Sequence, residues 1–121
     1  MSQFTITVRE NPPARVIDLN GYLDAHTAPQ LERALQDLLE SCIYNIIVNF
    51  RDLAYISSAG LGVFMAFIED VRSNGGDIKL VGMSPKVYNV FDLLGFPMLY
   101  EIFDDEPEAR DKFITNSSGA K

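Results

Sequence analysis

The chain has 121 residues, of which 47% are hydrophobic and 22% charged, and its formal net charge is −7. A chain of this length forms one domain and can bury roughly two thirds of its unfolded surface. The net negative charge argues against nucleic acid as a binding partner, because its phosphates are held mainly by Lys and Arg. It argues against binding to an anionic membrane surface for the same reason. We identify no signal peptide, and no apolar stretch is long enough to span a membrane.

The chain contains one cysteine, Cys42, which cannot form an internal disulfide and fits a reducing, cytoplasmic setting. Because Cys42 follows the apolar stripe of a predicted helix, we expect it to be a buried structural thiol. The single histidine, His26, precedes that helix and is expected at the surface, in a turn. The spacing of these two residues does not match that of metal ligands, so the sequence predicts no metal site and no cofactor.

Strands and helices follow from the spacing of apolar residues. Alternation predicts strands over 4–9 and 15–19, a short turn apart, and therefore an antiparallel pair. Further strands are predicted at 45–50, 77–81 and 100–103, and helices at 27–41, 58–73, from Pro85 to Gly95, and 106–113. The order β-β-α-β-α-β-α-β-α predicts an α/β fold. We expect a small, mixed and mostly parallel sheet with one antiparallel edge and about four helices.

Local residue types predict where the helices begin and end. Thr27 and Gln30 form a capping-box pattern, and Ser84 followed by Pro85 predicts the start of the third helix. Asn74, Gly75 and Gly76 predict the end of the second. The polar segment 115–121 is expected to be disordered, which leaves a domain over residues 1–114.

The stretch "YISSAGLG", Tyr55 to Gly62, places two adjacent serines between a strand and a helix. No base near in sequence could activate either hydroxyl, so the chain is not expected to be an enzyme. One serine can cap the helix, and the other then lies at or beside its first turn. A phosphate is tolerated at that place, because free N–H groups and the helix dipole favour an anion. The same charge would hinder a partner docked there, so these residues suit a switch.

The second predicted helix offers a surface for such a partner. We expect Leu61, Gly62, Val63 and Ala66 to contribute to binding, although Leu61 also falls on the inward face of the helical wheel. The alternative is that other elements of the fold cover the apolar residues, which is the expectation for Phe67.

Three stretches are similar to anti-sigma-factor antagonists of the STAS domain family: "LNGYLDAHTAPQLE" (19–32), "NIIVNFRDLAYISSAGLGVF" (45–64) and "LVGMSPKVYNVFDLLGF" (80–96). The middle one is the most specific, since the family motif is Asp-Ser-Ser/Ala-Gly-Leu between a strand and a helix. The resemblance implies a STAS-like fold and a non-enzymatic regulator that binds an anti-sigma factor, often also its serine kinase, and so frees a sigma factor. The resemblance also implies that phosphorylation ends the interaction and that a PP2C-type phosphatase removes the phosphate.

Carried over by position, the resemblance implies that Ser58 is the phosphorylated residue, with Ser57 as the less favoured alternative. Gly60 matches the motif glycine, and Asp24 matches the family aspartate near the phosphoserine loop. Ser57 replaces the motif aspartate, and Ala59 follows the acceptor in place of serine. Other functions stay open: a STAS-type scaffold, a transporter-associated subunit, or a sensor of a small anion or nucleotide without a phosphorylation switch.

Overall fold

The computed structural model describes residues 4–119, and for residues 115–119 only the backbone. The strands are β1 (Phe4–Asn11), β2 (Ala14–Leu23), β3 (Asn45–Ile56), β4 (Asp77–Val81) and β5 (Ile102–Phe103). The helices are α1 (Ala28–Glu40), α2 (Ser58–Ser73), α3 (Pro85–Leu93) and α4 (Glu106–Gly119), with a 3-10 turn at Phe96–Met98. This order matches the predicted one, apart from the 3-10 turn.

The five strands form one sheet in the order β1-β2-β3-β4-β5. The β1–β2 pair is antiparallel, and the other three pairs are parallel. The predicted α/β fold with a mixed, mostly parallel sheet and one antiparallel edge is therefore confirmed.

Three strands are longer than the sequence predicted. β1 continues past Arg9 to Asn11. β2 continues through Gly21 to Leu23, and β3 continues past Phe50 to Ile56. The pairing between them shifts register beside Gly21, whose positive φ of 100° few other residues adopt. The added segments carry many polar residues, and their pairing with each other holds them in the sheet.

The two faces of the sheet are covered by different helices. On one face, α1, α2 and α3 pack through buried residues such as Leu35, Phe64 and Phe91. On the other face, Ala109 and Phe113 of α4 pack against buried residues of β2, β3 and β4. Since neighbouring strand residues point to opposite faces, each inner strand is apolar on both sides.

Helix ends follow the predictions in part. Gly75, with φ of 88°, ends α2 as predicted, and the N–H of Val87 donates to Ser84 Oγ at 3.2 Å at the start of α3. Cys42 contradicts its prediction, because it is exposed and has a φ of 60° just beyond α1. The N–H of Ile43 donates to the carbonyl of Leu38 at 2.9 Å, which closes the helix and turns Cys42 outward.

The last helix runs past its predicted end at Phe113, to Gly119. Side chains beyond Ile114 and residues 120–121 lie outside the described part of the structure, so disorder over 115–121 stays a prediction. Within residues 4–119, no helix combines the length and apolar character that a membrane crossing requires.

Candidate functional site

The two serines and Asp24 meet at the carboxyl ends of β2 and β3. Leu23 and Ile56 are register partners at the ends of these parallel strands. The N–H of Ser57 donates to the carbonyl oxygen of Leu23 at 2.9 Å. The residues that follow, Asp24 on one strand and Ser57 and Ser58 on the other, therefore leave the sheet side by side.

Ser58 is the first residue of α2, and it is exposed. Ser57 precedes it in extended conformation, with φ of −104° and ψ of 173°. The first N–H groups of a helix have no partner within the helix, so they and the helix dipole create a positive potential beside Ser58. Ser58 is therefore open to solvent at a place where the helix start favours negative charge.

Ser57 occupies the N-cap position of α2, but its side chain does not cap the helix. The expected cap by one of the two serines is therefore not made by Ser57. Its side chain accepts no hydrogen bond from the first turn. Its Oγ is enclosed, and within residues 4–119 it has no hydrogen-bond partner. An enclosed hydroxyl without a partner costs on the order of 1–3 kcal/mol. We therefore expect that removing the Ser57 hydroxyl will not destabilise the domain.

Asp24 organises the turn that leads from β2 into α1. Its Oδ1 accepts hydrogen bonds from the N–H of His26 at 2.9 Å and of Thr27 at 3.2 Å. The hydroxyl of Thr27 accepts from the N–H of Asp24 at 2.9 Å and donates to the carbonyl of Tyr22 at 2.8 Å. His26 lies in this turn and is exposed, as predicted.

The predicted capping box between Thr27 and Gln30 is wrong, because the Thr27 side chain makes no cap hydrogen bond to α1. Its hydroxyl bonds to the turn before the helix instead. This competition between a turn and a helix cap is typical of Ser, Thr, Asn and Asp. The result is a fixed Asp24 backbone next to the serine loop.

Gly60 lets the first turn of α2 press against the strand ends. A Cβ atom at this position would lie 2.7 Å from Leu23 Cγ and 3.1 Å from Ile56 Cγ1. Both partners are buried, so neither can move aside easily. The helix start that carries Ser58 and Ala59 is thus packed directly on the register pair that ends β2 and β3.

The predicted partner-binding residues divide into two groups. Leu61 and Val63 are only 2% and 6% exposed and belong to the core, so they cannot form part of a free surface. Gly62 and Ala66 are exposed. Phe67 is buried, as expected.

Sequence reasoning missed Met65, which is 46% exposed beside Gly62 and Ala66. The signal was available, since positions 58, 62 and 65 follow the spacing of one helix face. We call Gly62, Met65 and Ala66 the α2 strip. It continues from Ser58 along the outer side of the helix.

Among the side chains of the described residues, no group of three or more His, Cys, Asp or Glu is placed to hold a metal ion. The site thus consists of a reachable hydroxyl at a helix start, a neighbouring carboxylate and a small exposed strip. These features define a small α/β domain that presents a strand-to-helix junction at its surface. The STAS domain family model matches residues 5–109, and the chain belongs to this family.

Proteins similar to this chain include two that are named as anti-sigma factor antagonists. The anti-sigma-B factor antagonist of Bacillus subtilis is 29% identical over 97 residues, which cover 80% of this chain and 88% of that protein. A solved anti-sigma factor antagonist from Mycobacterium paratuberculosis has a TM-score of 0.81 at 20% identity, covering 88% of this chain and 91% of that one.

The anti-sigma factor antagonist SpoIIAA of Bacillus is similar in two solved forms. The unphosphorylated form has a TM-score of 0.79 at 25% identity and covers 92% of this chain and 97% of its own. The phosphorylated form has a TM-score of 0.69 at 25% identity, covering 92% and 99%. SpoIIAA has thus been solved both without and with a phosphate, and both forms are similar in fold to this chain.

Proposed function

We propose that this chain is a phosphorylation-switched anti-sigma-factor antagonist. In its unmodified form it sequesters an anti-sigma factor that is also a serine kinase, and a sigma factor is released. The names and folds of the similar proteins support this proposal. The observation that carries it is the exposed Ser58 at the first residue of α2, beside the Asp24 turn.

The proposed switch follows from charge. Phosphorylation of Ser58 adds about 1.5 to 2 negative charges at pH 7. The helix start stabilises an anion there by roughly 0.3–1 kcal/mol, so the domain stays folded. A partner that covers the same place must bury that charge without a counter-ion, which costs several kcal/mol. Binding is expected to fall on the order of 10²–10⁴-fold.

Ser58 is the proposed acceptor in preference to Ser57. A kinase must bring the hydroxyl oxygen to the γ-phosphate of ATP, which requires an exposed side chain. Ser58 is exposed, whereas the Ser57 Oγ is enclosed. Phosphorylation of Ser57 would first require the loop to open.

The α2 strip is the proposed partner contact next to the acceptor. Gly62, Met65 and Ala66 present a small, mostly apolar surface that a partner can cover together with Ser58. Because the partner would cover Ser58 together with the α2 strip, one phosphate on Ser58 would be sufficient to end the interaction. Asp24 has a supporting role, because its turn borders the serine loop.

The chain itself is proposed to catalyse nothing and to need no cofactor. The kinase activity belongs to the anti-sigma factor, and a PP2C-type phosphatase is proposed to remove the phosphate. Under this proposal we expect the protein to be cytoplasmic, because its partners use ATP and act on sigma factors.

Reconstitution tests the proposal. The full chain is incubated with Mg-ATP and an anti-sigma kinase encoded in the same genome, and the phosphosite is mapped by mass spectrometry. We expect one phosphate on Ser58, none on Ser58→Ala, and normal phosphorylation of Ser57→Ala. Calorimetry is expected to give tight binding of the kinase to wild type and greatly weakened binding to Ser58→Asp. Phosphate on Ser57 alone, or equal binding of Ser58→Asp and wild type, would contradict the proposal.

A further inference from the structure

The outer edge of the sheet at β1 is long and carries none of the features that usually protect an edge strand. β1 is the first strand in the sheet order, and within residues 4–119 only β2 pairs with it. Edge strands are commonly protected by shortness, by Lys or Pro, or by a bulge. β1 has eight residues, its pairing with β2 has no register shift, and Phe4 to Val8 (FTITV) contains no charged residue, Pro or Gly. The backbone groups that point away from β2 are therefore available to a second strand.

The side chains of β1 are sorted onto the two faces of the sheet. Phe4, Ile6 and Val8 lie on the face that α1, α2 and α3 cover, and Thr5 and Thr7 lie on the opposite face. Val8 is 43% exposed although it lies on the core face. A groove of about 470 Å³ lies between Ile6 and the first two turns of α1. The helix therefore leaves the edge of β1 open.

The sequence of β1 is complementary to itself when two copies run antiparallel. With the two-fold axis at Ile6, Phe4 lies opposite Val8 of the second copy, Thr5 lies opposite Thr7, and Ile6 lies opposite Ile6. An aromatic residue opposite a β-branched one and two threonines opposite each other are favourable cross-strand pairs. In each pair both residues point to the same face of the joined sheet, so the apolar and polar sides of the two strands match.

Charge favours this register over its neighbours. Arg9 and Glu10 directly follow the uncharged segment. An axis at Thr7 would place Glu10 opposite Phe4, and an axis at Val8 would place Glu10 opposite Ile6. An axis at Arg9 would place two like charges opposite each other, which is destabilising. With the axis at Ile6, no charged residue lies opposite any residue of 4–8.

We propose that two copies of this chain pair through β1, antiparallel and with the two-fold axis at Ile6, so that their sheets join into one. A second copy supplies a strand that its own sheet already orders, which avoids most of the ordering cost of an unfolded segment. The contact is small, below about 1,200 Å² in total, so we expect a dissociation constant of about 10–100 µM. β2 separates this edge from β3, which Ser58 follows, so the proposal does not depend on phosphorylation.

The oligomeric state of the full chain tests the proposal. One chain has a mass of 13.5 kDa, so a dimer has 27 kDa (2 × 13.5). Sedimentation equilibrium from about 1 µM to about 500 µM chain is expected to show the average mass rising from the monomer value toward the dimer value and no further. Val8→Lys is expected to weaken association at least about tenfold, because it places a charge in the apolar row. Met98→Lys, at an 89% exposed position of the 3-10 turn, makes the same change of net charge and is expected to have no effect.

Cysteine cross-linking tests the register. Cys42 is exposed, so it is first replaced by serine. Thr5→Cys and Thr7→Cys are then made separately in this background, at exposed positions on the same face of β1. Under mild oxidation, we expect a mixture of the two variants to form a cross-linked dimer at least about tenfold faster than either variant alone. The reason is that directly opposed residues have Cβ atoms about 5 Å apart, whereas diagonal neighbours lie about 7–8 Å apart, too far for a disulfide.

Four results would overturn the inference. One is a chain that stays monomeric over the whole concentration range, and another is a mass that rises beyond the dimer. A third is equal weakening by Val8→Lys and Met98→Lys, which would place the contact elsewhere. A fourth is faster cross-linking of Thr7→Cys with itself than in the mixture. Circular dichroism checks that each variant is folded, and the wild-type mass and the cross-linking decide if Val8→Lys is not. Failure of Ser58 phosphorylation leaves all these outcomes unchanged, so the two proposals are tested separately.

Discussion

The N–H of Ser57 donates to the carbonyl oxygen of Leu23 at 2.9 Å, which ties the loop after β3 to the end of β2. This bond continues the strand pairing by one step beyond Ile56. It fixes the position from which α2 starts, and it brings Asp24 and Ser58 to the ends of adjacent strands although 34 positions separate them in the sequence (58 − 24). The properties of the site depend on this junction, which can be tested directly.

Gly60→Ala is expected to destabilise the domain by about 1–2 kcal/mol. The added methyl group would meet Leu23 Cγ at 2.7 Å, and this clash outweighs the gain of up to about 1 kcal/mol in helix propensity. Gly62→Ala is the matched control, because beyond its chain neighbours and the surrounding helix backbone nothing lies within 4 Å of the added group. It is expected to stabilise the domain by up to about 1 kcal/mol. Urea unfolding of both variants measures the difference, and equal effects would contradict the packing described for Gly60.

Ser57→Ala is expected to stabilise the domain by about 1 kcal/mol, because it removes an enclosed hydroxyl that has no partner. A capping serine would behave in the opposite way, since its loss costs about 1 kcal/mol. Ser58→Ala, at an exposed position, is expected to change stability by less than about 0.5 kcal/mol. Thermal unfolding of the three proteins gives the sign, and a lower midpoint for Ser57→Ala would restore the capping interpretation.

Lys79→Ala is expected to lower the free energy of unfolding by about 3 kcal/mol. The Lys79 side chain is 2% exposed, bonds to Asp77 Oδ2 at 3.0 Å and to Glu101, and lies 4.8 Å from the ring centre of Phe113. Its removal leaves a cavity under α4 and an unpaired carboxylate at its edge. Glu101→Gln tests the charge alone; because Glu101 is half exposed, it should cost less than about 1 kcal/mol. Equal losses in urea unfolding would show that the ion pair, not the packing, dominates.

Stability is expected to fall in acid through the carboxylates around Arg9. Hydrogen bonds from the Arg9 guanidinium lower the pKa of Asp18 and of Glu106 below their usual values. Groups with a lowered folded pKa stabilise the protein above their unfolded pKa of about 4 and lose this contribution as the pH falls through the folded pKa.

Arg9→Gln tests this relationship. Because the Arg9 side chain is 42% exposed, solvent screening limits the expected loss at pH 7 to about 1 kcal/mol. The variant and wild type should converge in acid, once both carboxylates are protonated. Arg33→Gln, an exposed change on α1, serves as the control with unchanged pH dependence. The measurement is the unfolding free energy of each protein between pH 7 and pH 3. A difference between Arg9→Gln and wild type that stays constant over this range would contradict the prediction.

The order of strands and helices could be predicted from the sequence because apolar spacing reports directly on burial. The ends of β2 and β3 could not, since the segment from Arg51 to Tyr55 has only one buried residue, Leu53. That segment becomes a strand through its pairing with β2, which is a tertiary effect. Strand ends that depend on such pairing leave no local pattern in the sequence.

The candidate site was predicted in position but not in detail. A strand followed by two serines and a helix predicted a reachable hydroxyl, and Ser58 is exposed. The capping box at Thr27 was wrong because its hydroxyl bonds to the turn that the fold brings near. Ser57 does not cap α2 either, because its Oγ is enclosed and has no hydrogen-bond partner within residues 4–119. Cys42 was wrong because the chain reverses at that residue, in a left-handed conformation that helical periodicity does not report.

The docking of α4 has a consequence for the growing polypeptide. Arg9 bonds to Glu106, 97 positions later, and Arg110 Nε donates to the carbonyl of Pro12 at 2.8 Å. A ribosome must therefore deliver nearly all of the domain before this face can close. Until then Lys79 has no aromatic cover and the apolar residues beside it face water, a surface that holdase chaperones recognise.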